Sequence, residues 1–341
     1  MLRALKIRHF RCYEAFETEF APDLNVIVGP NAHGKTSLLE AACILLRLLS
    51  PRTSRLADLI QHERRGFVVD GYFNERHLQF YFSVGRKKLA LDSVEQKTAR
   101  EYLQIGRLVY FESADIEIAR GGSDARRKFL DFIAVQRSAG YRKALRDYEK
   151  ALRSRNALLK APAPKWAQID AFTEPLILAA RELEGARGEL CAELHPHVSR
   201  AHQAISATSE TLEVNYVRGA GDNFGAGLAE ARTEDSRLRQ TTVGPHRDDL
   251  QFTVNGHPSK FASEGQQRTL VLALKLGAAE LLKAHFGSPP LLLLDDVFGE
   301  LDPSRRVALM SALPVGSQKL VTTTNIDWMP PEQPFNLLRL G

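Results

Sequence analysis

Three short stretches hold the residues that could do chemistry. Gly29-Pro30-Asn31-Ala32-His33-Gly34-Lys35-Thr36 fits the phosphate-binding pattern G-x-x-x-x-G-K-[ST]. Glycines there let backbone N–H groups turn onto phosphate oxygens, and a following helix adds the partial positive charge of its N-terminus. The nucleotide-contacting set is Gly29, Asn31, Gly34, Lys35, Thr36 and Ser37, with Lys35 on the β- and γ-phosphates and the Thr36 hydroxyl on Mg2+. The second stretch, Leu291-Leu292-Leu293-Leu294-Asp295-Asp296, is an apolar run ending in two carboxylates. A buried parallel strand delivers an acid to its C-terminal edge in this way. Asp295 would act through Mg2+, with Thr36 beside it, and Asp296 would orient or deprotonate the attacking water. With Lys35 these two make the catalytic set. The third stretch, Ser263-Glu264-Gly265-Gln266-Gln267-Arg268, opens a leucine- and alanine-rich helix with Ser263 at the capping position. Alone it is a capped helix; beside the other two stretches, Ser263, Gly265 and Gln266 suggest a second phosphate-binding tip.

These residues need elements to position them. Leu24-Asn25-Val26-Ile27-Val28 reads as a buried strand before the loop, and Ser37 to Leu46 reads as a helix after it, stopped by Pro51. Residues 1–20 alternate as strands, Gly66 to Phe73 and His77 to Val84 form a hairpin about Asn74-Glu75-Arg76, and Arg107 to Phe111 is another short strand. From Gly121 to about His202 the composition turns helical, and Ala161-Pro162-Ala163-Pro164 interrupts it. Two long helices, the second from about Trp166 towards Ile205, then make an antiparallel arm. The glycines of Gly219 to Gly227 read as a mobile loop. Leu250, Phe252 and Val254 alternate before an Asn255-Gly256 hairpin turn. Gly299-Glu300-Leu301-Asp302-Pro303 caps a further helix, and Lys319 to Asn325 is the closing strand. The expected domains are 1–119, an N-terminal part of an ATPase head; 120–240, a helical arm or lid; and 241–341, the rest of the head.

Size and composition set the limits. With 341 residues, 44% apolar and 26% charged, the chain can bury one substantial core and a smaller second one. A net charge of +5 permits an anionic partner without requiring one. Cys12, Cys43 and Cys191 lie far apart with no C-x-x-C pair, which argues against structural zinc or a disulfide framework and suits a reducing cytosol. No apolar run follows the first charged residues, and none is long enough to cross a membrane, so neither a signal peptide nor a membrane location is expected.

The first arm helix and its approach are basic, with Arg126, Arg127, Lys128, Arg137, Arg142, Lys143, Arg146, Lys150, Arg153 and Arg155 outnumbering the nearby acids. Such a run is as readily a solvated helix face as a surface for nucleic-acid backbone. On the second reading the DNA contacts are Arg126, Arg127, Arg142, Lys143 and Arg146, near the arm's base.

The motifs in this order resemble those of the ATP-binding-cassette-type ATPases and, within them, the RecF family of bacterial recombination and repair proteins. The likeness is carried by Leu5-x-Ile7-x-x-Phe10-Arg11, Arg126-Arg127-Lys128-Phe129-Leu130-Asp131, Gly244-Pro245-His246-Arg247-Asp248-Asp249-Leu250, the stretch at Ser263, and Leu293 to Asp302. It implies an α/β fold, a cassette-type P-loop ATPase head with mixed sheets and an inserted helical arm. It further implies ATP and Mg2+ as cofactors and an ATP-dependent homodimer in which Ser263 and Gly265 of one subunit close over the γ-phosphate bound at Lys35 of the other. The implied protein is cytoplasmic, acts on DNA at single-strand gaps in repair, replication and the SOS response, and has RecO and RecR as functional partners. Asp296 stands where such ATPases usually have the longer glutamate, so slow turnover, as in a switch, is expected.

Three positions depart from the pattern. Ala32 replaces a loop glycine, and Ser113-Ala114 replaces a proline–glutamate pair after the Phe111 strand. Thr324 stands where many cassette ATPases have histidine, as is common in this family. The competing readings are the ATP-binding subunit of a transporter and an antiphage ATPase. The Ser-Glu-Gly-Gln and Asp-Asp sequences argue against the first, and the chain's halt at Gly341, without an expected nuclease domain, against the second.

Overall fold

Leu24–Val28 is buried along almost its whole length, so its backbone and both faces need neighbours. In the structure, a computed structural model describing residues 1–206, 210–329 and 332–341, it finds a parallel strand on each side. Asn336–Arg339 lies on one edge and Lys319–Thr323 on the other, followed by Leu291–Asp295 and Leu108–Glu112. All five strands run parallel, so their carboxyl ends share one edge, where an α/β sheet places its ligand. A second, antiparallel sheet orders Tyr13–Glu19, Leu2–Phe10, Gly66–Phe73, Arg76–Ser83, Arg86–Leu91 and Val94–Glu95.

The helix Lys35–Arg47 packs against strands of both sheets and is buried on nearly every side. Its charged members therefore need partners inside. Glu40 takes a bidentate pair from Arg11, at 2.8 and 2.9 Å, and Arg47 donates to the carbonyls of Leu103 and Gly106. The Phe73–Arg76 hairpin closes on Asn74 at φ 53°, and Asn255-Gly256, at φ 52° and 77°, forms the expected two-residue turn.

The chain divides into two units: Met1–Ala114 with Leu274–Gly341, and Asp115–Ala273. The later boundary thus differs from the expected 240/241. Asp249–Val254 pairs over its full length with Leu212–Val217, a strand the sequence reading did not contain, and that pairing ties the stretch leading to Ser263 into the second unit. Three long helices lie wholly within this unit, Ser123–Arg137, Ala139–Leu159 and Thr173–Ile205, the last two packed together. The glycine cluster expected as a loop contains a helix, Phe224–Glu230. Asn223 caps it at 3.1 Å, and Phe224 and Leu228, one turn apart, are buried.

Arg187 lies at the centre of the second unit. Its buried guanidinium donates to Asp131, to Asp248 at 2.7 Å and to the Pro245 carbonyl at 2.7 Å. The hydroxyls of Tyr141 and Tyr216 donate to the same two carboxylates. The Gly244-to-Asp249 stretch is thereby held from within. Replacing Arg187 by alanine leaves two carboxylates without their cation, and the expected cost is about 3–5 kcal/mol of unfolding free energy, measurable by urea denaturation. A loss below ~1 kcal/mol would show that the network does not hold the unit together.

Candidate active site

The phosphate loop joins the strand Leu24–Val28 to the helix Lys35–Arg47. Gly34 sits at the helix N-cap with φ 90°, and a Cβ there would meet the Tyr13 hydroxyl at 2.6 Å. Tyr13 covers the turn and donates to the Gly34 carbonyl at 3.1 Å. Ala32, also in the left-handed region at φ 67°, explains why a glycine is usual there, since a side chain costs roughly 1–2 kcal/mol in that conformation. Lys35 is buried and donates to the carbonyls of Gly29 and Pro30 at 2.6 and 2.9 Å, which curls the loop around its ammonium. Asn31 is exposed on the loop, and Ser37 is half-buried in the first helical turn.

The parallel sheet brings the acids to this loop. The Thr36 hydroxyl donates to Asp295 Oδ1 at 3.0 Å, across most of the sequence. Thr322 lies opposite Asp295 in register, and its hydroxyl donates to the same oxygen at 2.7 Å. Tyr110 donates to Oδ2 at 3.1 Å. Thr322 also accepts from the Asp296 N–H at 3.0 Å, which fixes the turn where Asp296 adopts φ 53°. Burial pushes the Asp296 carboxyl above its ordinary range, and the Lys35 ammonium opposes that rise. Neither Thr322 nor Tyr110 was among the sequence candidates. For Thr322 the available signal was the polar end of an otherwise apolar strand, whereas Tyr110, in the middle of Leu108–Glu112, carried none.

Thr36 and Asp295 suit Mg2+, because a hydroxyl and a carboxylate are hard oxygen donors. Among the described residues no trio of His, Cys, Asp or Glu could hold a metal alone. A cation that keeps its waters and shares phosphate oxygens needs no such trio.

Ser263, Gly265 and Gln266 belong to the second unit, whereas Lys35, Thr36, Asp295 and Asp296 belong to the first. Ser263 Oγ accepts from the Gln266 N–H at 3.3 Å, and Gln266 Oε1 accepts from the Ser263 N–H at 2.9 Å, a reciprocal capping box at the start of the helix Glu264–Phe286. Gln266 also donates to Glu210 at 2.9 Å, which fixes the side chain that braces Ser263.

The basic candidates divide by environment. Arg126 is bidentate on Asp249, and Arg127 donates to Ser123 and to the Asp248 carbonyl; both are mostly buried. Half-buried Arg142 donates to the Val135 carbonyl. Lys143 and Arg146 stand out at 72% and 71% exposure, near Asp147.

With the loop curled on Lys35, replacing that residue by alanine is expected to weaken ATP binding at least a hundredfold while the unfolding midpoint changes little, since the ammonium's bonds are to its own loop. Unchanged nucleotide affinity in the folded variant would remove the phosphate-loop assignment.

The sequence and the fold resemble those of known proteins. The family model for the RecF/RecN/SMC N terminal domain matches residues 1–331. The DNA replication and repair protein RecF of Symbiobacterium thermophilum is 37% identical over 344 residues, covering 96% of this chain and 92% of its own length. That of Halalkalibacterium halodurans is 36% identical, with 96% and 93% covered. Among solved structures, recombination mediator protein RecF-ATP in the RecFOR pathway superposes with a TM-score of 0.86 at 30% identity, over 98% of this chain and 93% of that one. An Smc head bound to the C-winged helix domain of ScpA, at 16% identity and a TM-score of 0.55, shares the fold. From the phosphate loop to the acid strand, and over nearly its whole length, this chain belongs to the RecF family.

Proposed function

We propose that the chain is an ATP-dependent DNA-binding protein of recombinational repair and replication. ATP would drive its dimerisation, and slow hydrolysis would end the dimeric state. The observation that carries this reading is Thr36 and Asp295 held 3.0 Å apart beside Lys35, in a chain whose relatives are RecF proteins from end to end. The solved RecF structures named for ATP and for the RecFOR pathway support ATP as the nucleotide and RecO and RecR as partners. Full-length kinship with RecF also weighs against the transporter reading. Three free cysteines, and the lack of any helix long and apolar enough to cross a membrane among the described residues, are compatible with the cytoplasm, where the protein would meet gapped DNA.

Asp295 would act through Mg2+, and Asp296 on the attacking water. When bound, the metal would neutralise phosphate charge; the chain's own work is to present Thr36 and Asp295 and to hold Asp296 through Thr322. Ser263, braced by Gln266, offers the free N–H groups of a helix start to the γ-phosphate held by a second copy.

Asp296→Asn is expected to bind ATP and to accumulate a long-lived dimer. Adding Ser263→Arg, which sets a bulky cation where the helix start must meet phosphate, should leave binding intact and abolish that dimer. Sedimentation that shows a normal ATP-dependent dimer in the double variant would refute the two-copy site.

For DNA, the exposure of Lys143 and Arg146 supports reading them as phosphate contacts, whereas Arg126 and Arg127 are engaged inside the unit and Arg142 is half-buried. Replacing Lys143 and Arg146 with alanine should flatten the slope of log K against log salt by about two, with ATP affinity unchanged. An unchanged slope would place the DNA elsewhere. Arg126→Ala should instead lower stability, as loss of its pair with Asp249 requires.

A further inference from the structure

One buried hydroxyl at the acid edge of the parallel sheet belongs to none of the nucleotide motifs. Tyr110 lies on Leu108–Glu112 opposite Leu293, one pleat before the register pair of Glu112 and Asp295. Residues two apart on a strand share a face, so the phenol reaches diagonally towards Asp295. Its oxygen meets Asp295 Oδ2 at 3.1 Å, and its backbone carbonyl is anchored by the Lys275 ammonium at 2.7 Å. An ionised carboxylate only accepts, so the phenol is the donor.

Counting lone pairs shows what that bond does. A carboxylate offers about four acceptor positions. Thr36 and Thr322 occupy Oδ1, and Tyr110 occupies one position on Oδ2. Among the described residues no other side chain is bonded to Asp295, so one position of Oδ2 is left, and the carboxylate is braced from both sides. Without the phenol, no other described side chain would hold Oδ2, and the terminal torsion of aspartate is soft.

We infer that Tyr110 is a positioning residue for Mg2+: its hydroxyl orients the Asp295 carboxylate so that the remaining acceptor position of Oδ2 serves the waters of a nucleotide-bound metal. The inference rests on the nucleotide reading above and adds a group outside the loop and acid motifs. It predicts a defect in metal use and not in nucleotide affinity as such. Partners that orient metal-binding groups from behind typically change metal affinity by about 10–100-fold.

The experiment is a titration of the full-length protein with a fluorescent ATP analogue, in EDTA and over a range of Mg2+, comparing the parent with Tyr110→Phe. The variant removes one oxygen and keeps the ring's packing. Both proteins are expected to bind equally in EDTA and to unfold at similar temperatures, while half-saturation with Mg2+ rises about tenfold in the variant. Equal half-saturation would overturn the inference. Tighter metal binding would also overturn it, by showing that the hydroxyl acts by drawing charge from the carboxylate instead of orienting it. Parallel loss of EDTA binding and thermal stability would reduce Tyr110 to a structural brace, again overturning it. A parent protein whose nucleotide binding ignores Mg2+ would instead remove the metal reading itself, and with it this role.

Discussion

A carboxylate at the end of a fully buried strand is tolerated only if the sheet supplies hydrogen-bond donors to replace water. Asp295 meets that constraint with three hydroxyls, one from the phosphate-loop helix and one from each of the two strands that flank its own. Much of the first unit follows from it. The strands must be parallel so that their carboxyl ends coincide, and the helix Lys35–Arg47 must begin at that edge for Thr36 to reach the acid. Burying that helix between two sheets then obliges Glu40 and Arg47 to find internal partners, which Arg11 and two backbone carbonyls provide. The candidate nucleotide site and the core therefore share one helix.

The second unit applies the same rule to arginine. Arg187, Arg155 and Arg126 each meet a carboxylate from a distant part of the chain, so their charge serves the interior. A buried ion pair is a weak source of net stability but costly to break, which makes such pairs better at fixing one arrangement than at deepening it. The Gly244-to-Asp249 stretch is fixed in this way, with His246 bonded to Tyr148 and the Thr241 carbonyl and its imidazole pushed below its ordinary range by burial.

Legibility in the sequence followed the range of the interactions. The phosphate loop, the acid strand and the capped helix at Ser263 are local patterns, and the structure shows strand, turn and helix where they were read. The basic window was only half legible. Its composition is visible, but the partners that turn Arg126, Arg137 and Arg155 inward are Asp249, Glu193 and Asp235, far away in sequence. The pairing that draws 241–273 towards the second unit is equally long-range. Leu212–Val217 alternates too briefly to stand out and becomes a strand by pairing with Asp249–Val254. Ala32 taught the reverse lesson, since a departure from pattern visible in the sequence marked a backbone position that is left-handed in space.

The pairing of Leu24–Val28 has a consequence for how the protein is made. Both of its sheet neighbours, Lys319–Thr323 and Asn336–Arg339, come from the far end of the chain. A ribosome adding about 5–20 residues per second would expose this apolar strand for tens of seconds before either partner exists. The second unit, by contrast, is one continuous segment, Asp115–Ala273, free to close on itself meanwhile. Of the strands in this sheet, the one that leads into the phosphate loop thus waits longest for its partners during synthesis.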